Sequence, residues 1–205
     1  PASSSVWTCY NTANDGILGN FALAEEQGRS VLHFTRTGSS QHGESVCHTS
    51  QGGSAIDVSG YQYLSVEVVF KINSQSLSGC GELGSECPLM VRLEYNPAVP
   101  SDQERARYWN HGFYLWNSQL TYPSICDTCT QEHEIVNGGV WYRYRSDNLF
   151  GVLPGDNRPV EIVALRVYAS GHEYDVYVSE VSLLASANID PVPVGSLTSR
   201  LKAES

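Results

Sequence analysis

The feature that most restricts this chain is a hydrophobic period of two that recurs along its length. YLSVEVVFKI sets Leu64, Val66, Val68, Phe70 and Ile72 on one side and Ser65, Glu67, Val69 and Lys71 on the other. LMVRLEY alternates Leu89, Val91, Leu93 and Tyr95 with Met90, Arg92 and Glu94. EIVALRVYA sets Val163, Leu165 and Val167 against Ile162, Arg166 and Tyr168. YDVYVSEVSLL carries Val176, Val178, Val181 and Leu183 on one face, with a register that must slip near Ser179, as at a β-bulge. Successive side chains of a strand point to opposite faces, so this alternation specifies half-buried strands. VLHFTRT and VWYRYRS follow the same pattern, and TGSSQHG, QGGS, SGCGELGSE, NPAVPSD, LPGDNRP and SGHEYD supply turns between the runs.

Helical signals are few. FALAEEQG would form one turn and GSLTSRLKAES a short terminal helix. About nine or ten strands at this spacing specify an all-β fold, an antiparallel β-sandwich of jelly-roll type. We expect one domain over residues 1–185. The Pro-, Gly- and Ser-containing stretch from residue 186 to 205 reads as a tail or linker.

Composition narrows the partners. At 41% hydrophobic and 17% charged residues over 205 positions, the chain is globular and long enough for a substantial core. Its formal net charge is −10, and Lys71 and Lys202 are its only lysines. A nucleic-acid partner needs a basic face, so none is expected, and anionic membrane surfaces are disfavoured for the same reason. No window approaches the roughly eighteen apolar residues of a spanning helix, so membrane insertion is not expected. PASSS reads as a polar leader to a mature domain.

Six cysteines are an even number, open to fifteen connectivities. Cys80 and Cys87 flank a turn-rich loop, Cys126 and Cys129 flank two residues, and a local scheme leaves Cys9 with Cys47. Paired cysteines place the chain in an oxidising compartment, secreted or at the cell surface.

YWNHGFYLW packs six aromatic or histidine rings into nine residues, Tyr108 to Trp116. As a strand it gives Trp109, His111, Phe113 and Leu115 to a core face, with His111 near an edge or hydrogen-bonded. Tyr108, Asn110, Gly112, Tyr114 and Trp116 take the other face. A sugar offers C–H bonds that rest on rings and hydroxyls that need forked polar partners. Arg92, Glu94, Arg143 and Arg166 lie on polar strand faces and would supply such forks. We therefore expect a neutral glycan to meet Tyr114, Trp116 and Trp141, with Arg92, Glu94, Asn110 and Arg143 as polar contacts. Plain packing competes with this reading at every ring, because tyrosine and tryptophan fill most sandwich cores.

CDTCTQEHE gives Cys126, Cys129 and His133 a C-x2-C-x3-H spacing compatible with zinc, with Glu132, Glu134 or His111 as a fourth ligand. A disulfide or two free thiols is the competing reading. No cofactor is required, but a calcium ion is possible, drawing on Asp15, Glu25, Glu26, Asp57 or Glu180, although no calcium loop is present. No nucleophile elbow, metalloprotease helix or phosphate loop occurs, so no enzyme is expected. Acid pairs such as Glu132 with Glu134 have a spacing compatible with glycosidase geometry, but loop carboxylates of this kind are usually just solvated.

DVSGYQYLSVEVVFKI and ALRVYASGHEYDVYVSEVSLL resemble galactose-binding-like jelly rolls, the architecture of many carbohydrate-binding modules. Gly60 and Tyr61 stand where those modules turn into their opening strand, and Gly171 where a closing hairpin turns before the last strand. The block from QSLSGCGELGSECPLMVRLEY to YWNHGFYLW resembles uncharacterised domains of bacterial cell-envelope and secreted proteins. The resemblance spans Ile17 to Ala185, and CDTC has no counterpart in it. It implies an extracellular, non-catalytic recognition module. The alternative is a structural subunit of a surface layer, filament or envelope complex, in which terminal tails dock on neighbouring copies or on another protein partner.

Overall fold

A computed structural model describes residues 6–50, 55–100, 106–116, 122–188 and 196–198. Two β-sheets face each other. The strands are β1 (Val6–Ala13), β2 (Asn20–Glu26), β3 (Arg29–Arg36), β4 (Gly43–Ser50), β5 (Ile56–Asp57), β6 (Tyr63–Gln75) and β7 (Leu89–Pro97), followed by β8 (Arg107–Leu115), β9 (Glu134–Val136), β10 (Tyr142–Arg145), β11 (Pro159–Gly171), β12 (Tyr174–Ser186) and β13 (Ser196–Thr198). One sheet runs β1-β4-β11-β7-β8-β9, with β5 also on β11, and the other runs β10-β6-β12-β3-β2, with β13 on β12. All pairings are antiparallel except β8 with β9. The only helical pieces among the described residues are single turns, Leu149–Val152 and Gly155–Asn157. None is long and apolar enough to cross a membrane.

The alternation places its apolar side between the sheets. Leu64, Val66, Val68, Phe70 and Ile72 of β6 meet Leu89, Val91 and Leu93 of β7, Trp109 and Phe113 of β8, and Leu165 and Val167 of β11 in one core. The register slip near Ser179 is present, between Val178 and Glu180 of β12. A second irregularity, between Ile162 and Ala164 of β11, was not expected. It turns Ile162 into the core, where simple alternation had placed Val163.

Phe21–Gly28 is not a helical turn. It is β2 and a two-residue hairpin loop to β3, in which Gln27 and Gly28 both have positive φ (52° and 74°). That is the backbone a type I′ turn needs, and its twist matches the flanking strands. The Trp141 indole donates to Gln27 Oε1 (2.8 Å), tying down this otherwise unfavourable glutamine. At the other end of the chain, residues 196–198 lie along β12, where a helix was expected, and the remainder of the tail and the PASSS leader fall outside the described residues.

Gly171 does not turn a hairpin within a sheet. It ends β11 in one sheet, and Tyr174 begins β12 in the other. Buried Arg36 staples this crossing, donating to the carbonyls of Gly171 (2.8 Å), His172 (2.9 Å), Gln41 (2.6 Å) and Ile17 (2.9 Å), and pairing with Asp15 (3.0 Å). A guanidinium buried this deeply is tolerable because its donors are answered by oxygens.

His111 is buried with neither ring nitrogen hydrogen-bonded. It stacks between Trp109 (5.8 Å) and Tyr144 (4.7 Å), and its Nε2 is 3.5 Å from Glu134. Burial first, and the nearby His133 second, lower its pKa from 6.5 to about 4. The neutral ring is the native form, so the unfolded chain takes up the proton first as pH falls. His111 therefore costs stability progressively from pH 6.5 down to about 4, by about 3 kcal/mol in all. Burial raises Glu134, which acts in the opposite sense. Urea denaturation of wild type and His111→Phe at pH 7 and pH 4 checks this: the variant loses about 3 kcal/mol less over that span. Equal losses contradict it.

Candidate functional site

The outer face of the seven-stranded sheet is ordered in rows that cross the strands. One row reads Asn110, Arg92, Arg166, His48, Thr8 from β8 through β7, β11 and β4 to β1. The next reads Gly112, Met90, Tyr168, Val46, Tyr10. On the far side of the first row, Tyr108 of β8 is opposite Glu94 of β7.

The second row is covered from Gly112 to Val46 and open at Tyr10. The bridges are Cys9–Cys47, Cys80–Cys87 and Cys126–Cys129. The first joins directly opposed residues of β1 and β4, whereas the other two close loops that fold over the sheet. Cys80 and Cys87 bury Val46, Met90, Tyr114 and Tyr168 in a small second core. Gly112 makes room for this. A Cβ there would come within 2.2 Å of Cys87 Sγ and 2.7 Å of Met90 Sδ. His133 fastens the cover: its Nδ1 accepts from the Gly112 amide (2.9 Å), and its Nε2 donates to the Gly84 carbonyl (2.7 Å). The Cys126–Cys129 loop also reaches the site, since Asn110 Nδ2 donates to Thr128 Oγ1 (3.2 Å).

The zinc reading of Cys126, Cys129 and His133 is corrected by this arrangement. The three do converge, but both sulfurs are joined in a disulfide and both histidine nitrogens are engaged by backbone. Tyr114 requires a correction as well. Its ring was expected at the surface, yet it is 4% exposed because the Cys80–Cys87 loop lies over that end of the sheet.

The first row is only partly covered, and Arg92, Asn110 and Arg166 in it are held by neighbouring side chains. Arg92 Nε donates to Asn110 Oδ1 (2.6 Å), and its guanidinium lies 4.9 Å from the Tyr108 ring and 5.7 Å from the Tyr168 ring. Glu94 forms an ion pair with Arg166. Burial pushes the Tyr168 hydroxyl up to about 12, so it is a neutral donor. Tyr108 is 44% exposed at one end of the uncovered area. Tyr10, edge-on to His48 at 6.1 Å, stands at the other.

Of the residues singled out in the sequence, Arg92, Glu94 and Asn110 meet here, together with Arg166. Trp116 is exposed but follows the end of β8, about 20 Å along the strand from Asn110 and beyond the covered row. Trp141 and Arg143 are not on this face. Arg143 leaves β10 on the outer side of the other sheet, paired with Glu67 and with Glu180 (3.2 Å), and Trp141 lies beneath Arg29 (5.1 Å) and Lys71 (5.6 Å). The carboxylates considered for calcium are dispersed: Asp15 on Arg36 and Ser39, Glu25 on Ser30, Glu26 on Lys71, Asp57 on Ser59 and Glu180 on Arg143. Of the acid pair considered, Glu134 lies 3.5 Å from His111 of the inner face, and the charge of Glu132 adds to burial in raising the pKa of Tyr114 of the outer face. Tyr108, His48 and Tyr10 were not chosen from the sequence. The alternation of Glu44, Val46 and His48 in GESVCHTS would have revealed His48 once β4 was placed beside β11.

No protein-family model matches the chain, and no curated protein matches it in sequence. Solved structures do. A family 30 carbohydrate-binding module of a cellulosomal cellulase of Clostridium thermocellum is 11% identical, aligns 91% of this chain with 97% of its own, and gives a TM-score of 0.52. The two share a β-sandwich fold. A second family 30 module shows 11% identity, 86% and 92% coverage, and a TM-score of 0.50. An enzymatically active domain of a bacteriophage CBA120 tailspike aligns with 90% of this chain at 8% identity and a TM-score of 0.45, and this chain spans 20% of it. At these identities the likeness is one of fold.

The cover can be tested through Gly112. Gly112→Ala forces the Cys80–Cys87 loop away from β8 and costs about 1–3 kcal/mol by urea denaturation. It also quickens amide exchange in residues 80–87. Unchanged stability and exchange contradict this packing.

Proposed function

We propose that this chain is a non-catalytic carbohydrate-recognition module of an exported protein, and that glycan lies on the uncovered part of the seven-stranded sheet. The observation that carries the reading is the polar row Asn110, Arg92, Arg166 and His48, its first three members held in place, with exposed tyrosine rings towards its two ends. Rings offer platforms for the C–H faces of sugars, and pre-held guanidinium groups bind hydroxyls without paying to be ordered. The jelly-roll fold shared with carbohydrate-binding modules supports it. Three disulfides support export, because such bridges persist in oxidising compartments.

Glu94, beside the row, is paired with Arg166 and so held away from acid–base work, which supports binding over turnover. A glycan array followed by isothermal titration tests the proposal. We expect an oligosaccharide that binds and an affinity that falls by about tenfold or more in Tyr108→Ala and in Arg166→Ala, about 1.4 kcal/mol. Tyr177→Ala, on the other sheet, leaves it unchanged. No binder stronger than about millimolar, or equal losses from both faces, overturns the reading.

A further inference from the structure

The geometry points to a ligand that carries a carboxylate: a uronic-acid-containing glycan whose acid group meets Arg92. This rests on the reading that the outer face of the seven-stranded sheet binds glycan, and it names the class of glycan.

The argument starts from charge on adjacent strands. Arg92 of β7 and Arg166 of β11 are direct cross-strand partners. Like charges opposite one another disfavour a sheet, so a sequence that places two arginines there needs a compensating anion. Glu94 supplies one carboxylate, and it pairs with Arg166. Among the described residues no carboxylate pairs with Arg92. It meets the Asn110 amide oxygen at 2.6 Å, the Tyr168 hydroxyl, and the rings of Tyr108 and Tyr168 at 4.9 and 5.7 Å. These are neutral groups that orient the guanidinium without cancelling its charge. The next acid on the face, Glu44, faces His42 (3.8 Å) and Ser170 (3.5 Å) instead.

Arg92 is also suited to the task. It is half-buried, so its charge is less screened than that of a surface arginine. With Nε committed to Asn110 and the Tyr168 hydroxyl also against the guanidinium, its plane is fixed, and both partners are neutral, so its charge remains for an oxyanion. The chain's net charge of −10 does not forbid an anionic ligand, because charges more than about 8 Å away are largely screened at physiological salt.

Isothermal titration with three matched sets of oligosaccharides tests this: neutral oligomers, the same backbones bearing uronic acid, and sulfated counterparts. Wild-type protein is expected to bind uronate-bearing oligomers at least about tenfold more tightly than neutral ones. Arg92→Gln is expected to abolish that preference, so that the variant binds uronate-bearing and neutral oligomers equally whatever its remaining affinity, and Arg145→Gln on the other sheet to leave the preference intact. Rising salt should narrow the gap in wild type and not in Arg92→Gln. Equal affinity for neutral and uronate oligomers overturns the carboxylate assignment and leaves glycan binding standing. A stronger response to sulfated oligomers overturns it in favour of a sulfate site. Failure of all three sets to bind overturns the glycan reading itself.

Discussion

The register of β7 between β8 and β11 is the constraint on which the rest of the molecule depends. It sets Leu93 beside Trp109 and Leu165 inside the sandwich, and in the same stroke sets Arg92 beside Asn110 and Arg166 outside it. A shift of β7 by one residue would exchange its faces, exposing Leu93 and burying Arg92 and Glu94. Core packing and the surface row are thus specified by one alignment. The apolar side supplies the energy that fixes it, and the polar side inherits its precision.

That inheritance suits a recognition surface. Side chains on central strands of a large sheet have rigid backbones, and those of the row are further tied by Asn110, Thr128 and the Glu94–Arg166 pair. The Cys80–Cys87 loop contributes by limiting what is exposed. It closes over Met90, Tyr168 and Val46, so the open surface becomes a band and not the whole sheet. His133 links that cover to β8 through two hydrogen bonds, the role its C-x2-C-x3-H spacing had suggested for metal.

Much of this was legible in the sequence, and the limits have physical causes. Period-two alternation gave the strands, the two-layer architecture and the slip at Ser179, because side-chain direction is a local property. It also placed Arg92, Glu94, Asn110 and Arg166 on outer faces. It could not say which sheet a strand joins, and so it grouped Trp141 and Arg143 with residues on the opposite side of the molecule. Nor could it reveal that a loop closed by Cys80 and Cys87 would fold over Tyr114, a contact between residues distant in sequence. The bulge at Val163 and the strand at Phe21–Glu26 were missed because pairing partners, not local pattern, decide both.

The central claim is that ligand meets the outer face of the seven-stranded sheet. Mapping amide chemical-shift changes during titration with a bound oligosaccharide tests it most directly. The account predicts shifts concentrated at His48, Arg92, Tyr108, Asn110 and Arg166. Shifts concentrated instead on Val69, Lys71, Arg143 and Tyr177 of the other sheet would contradict it.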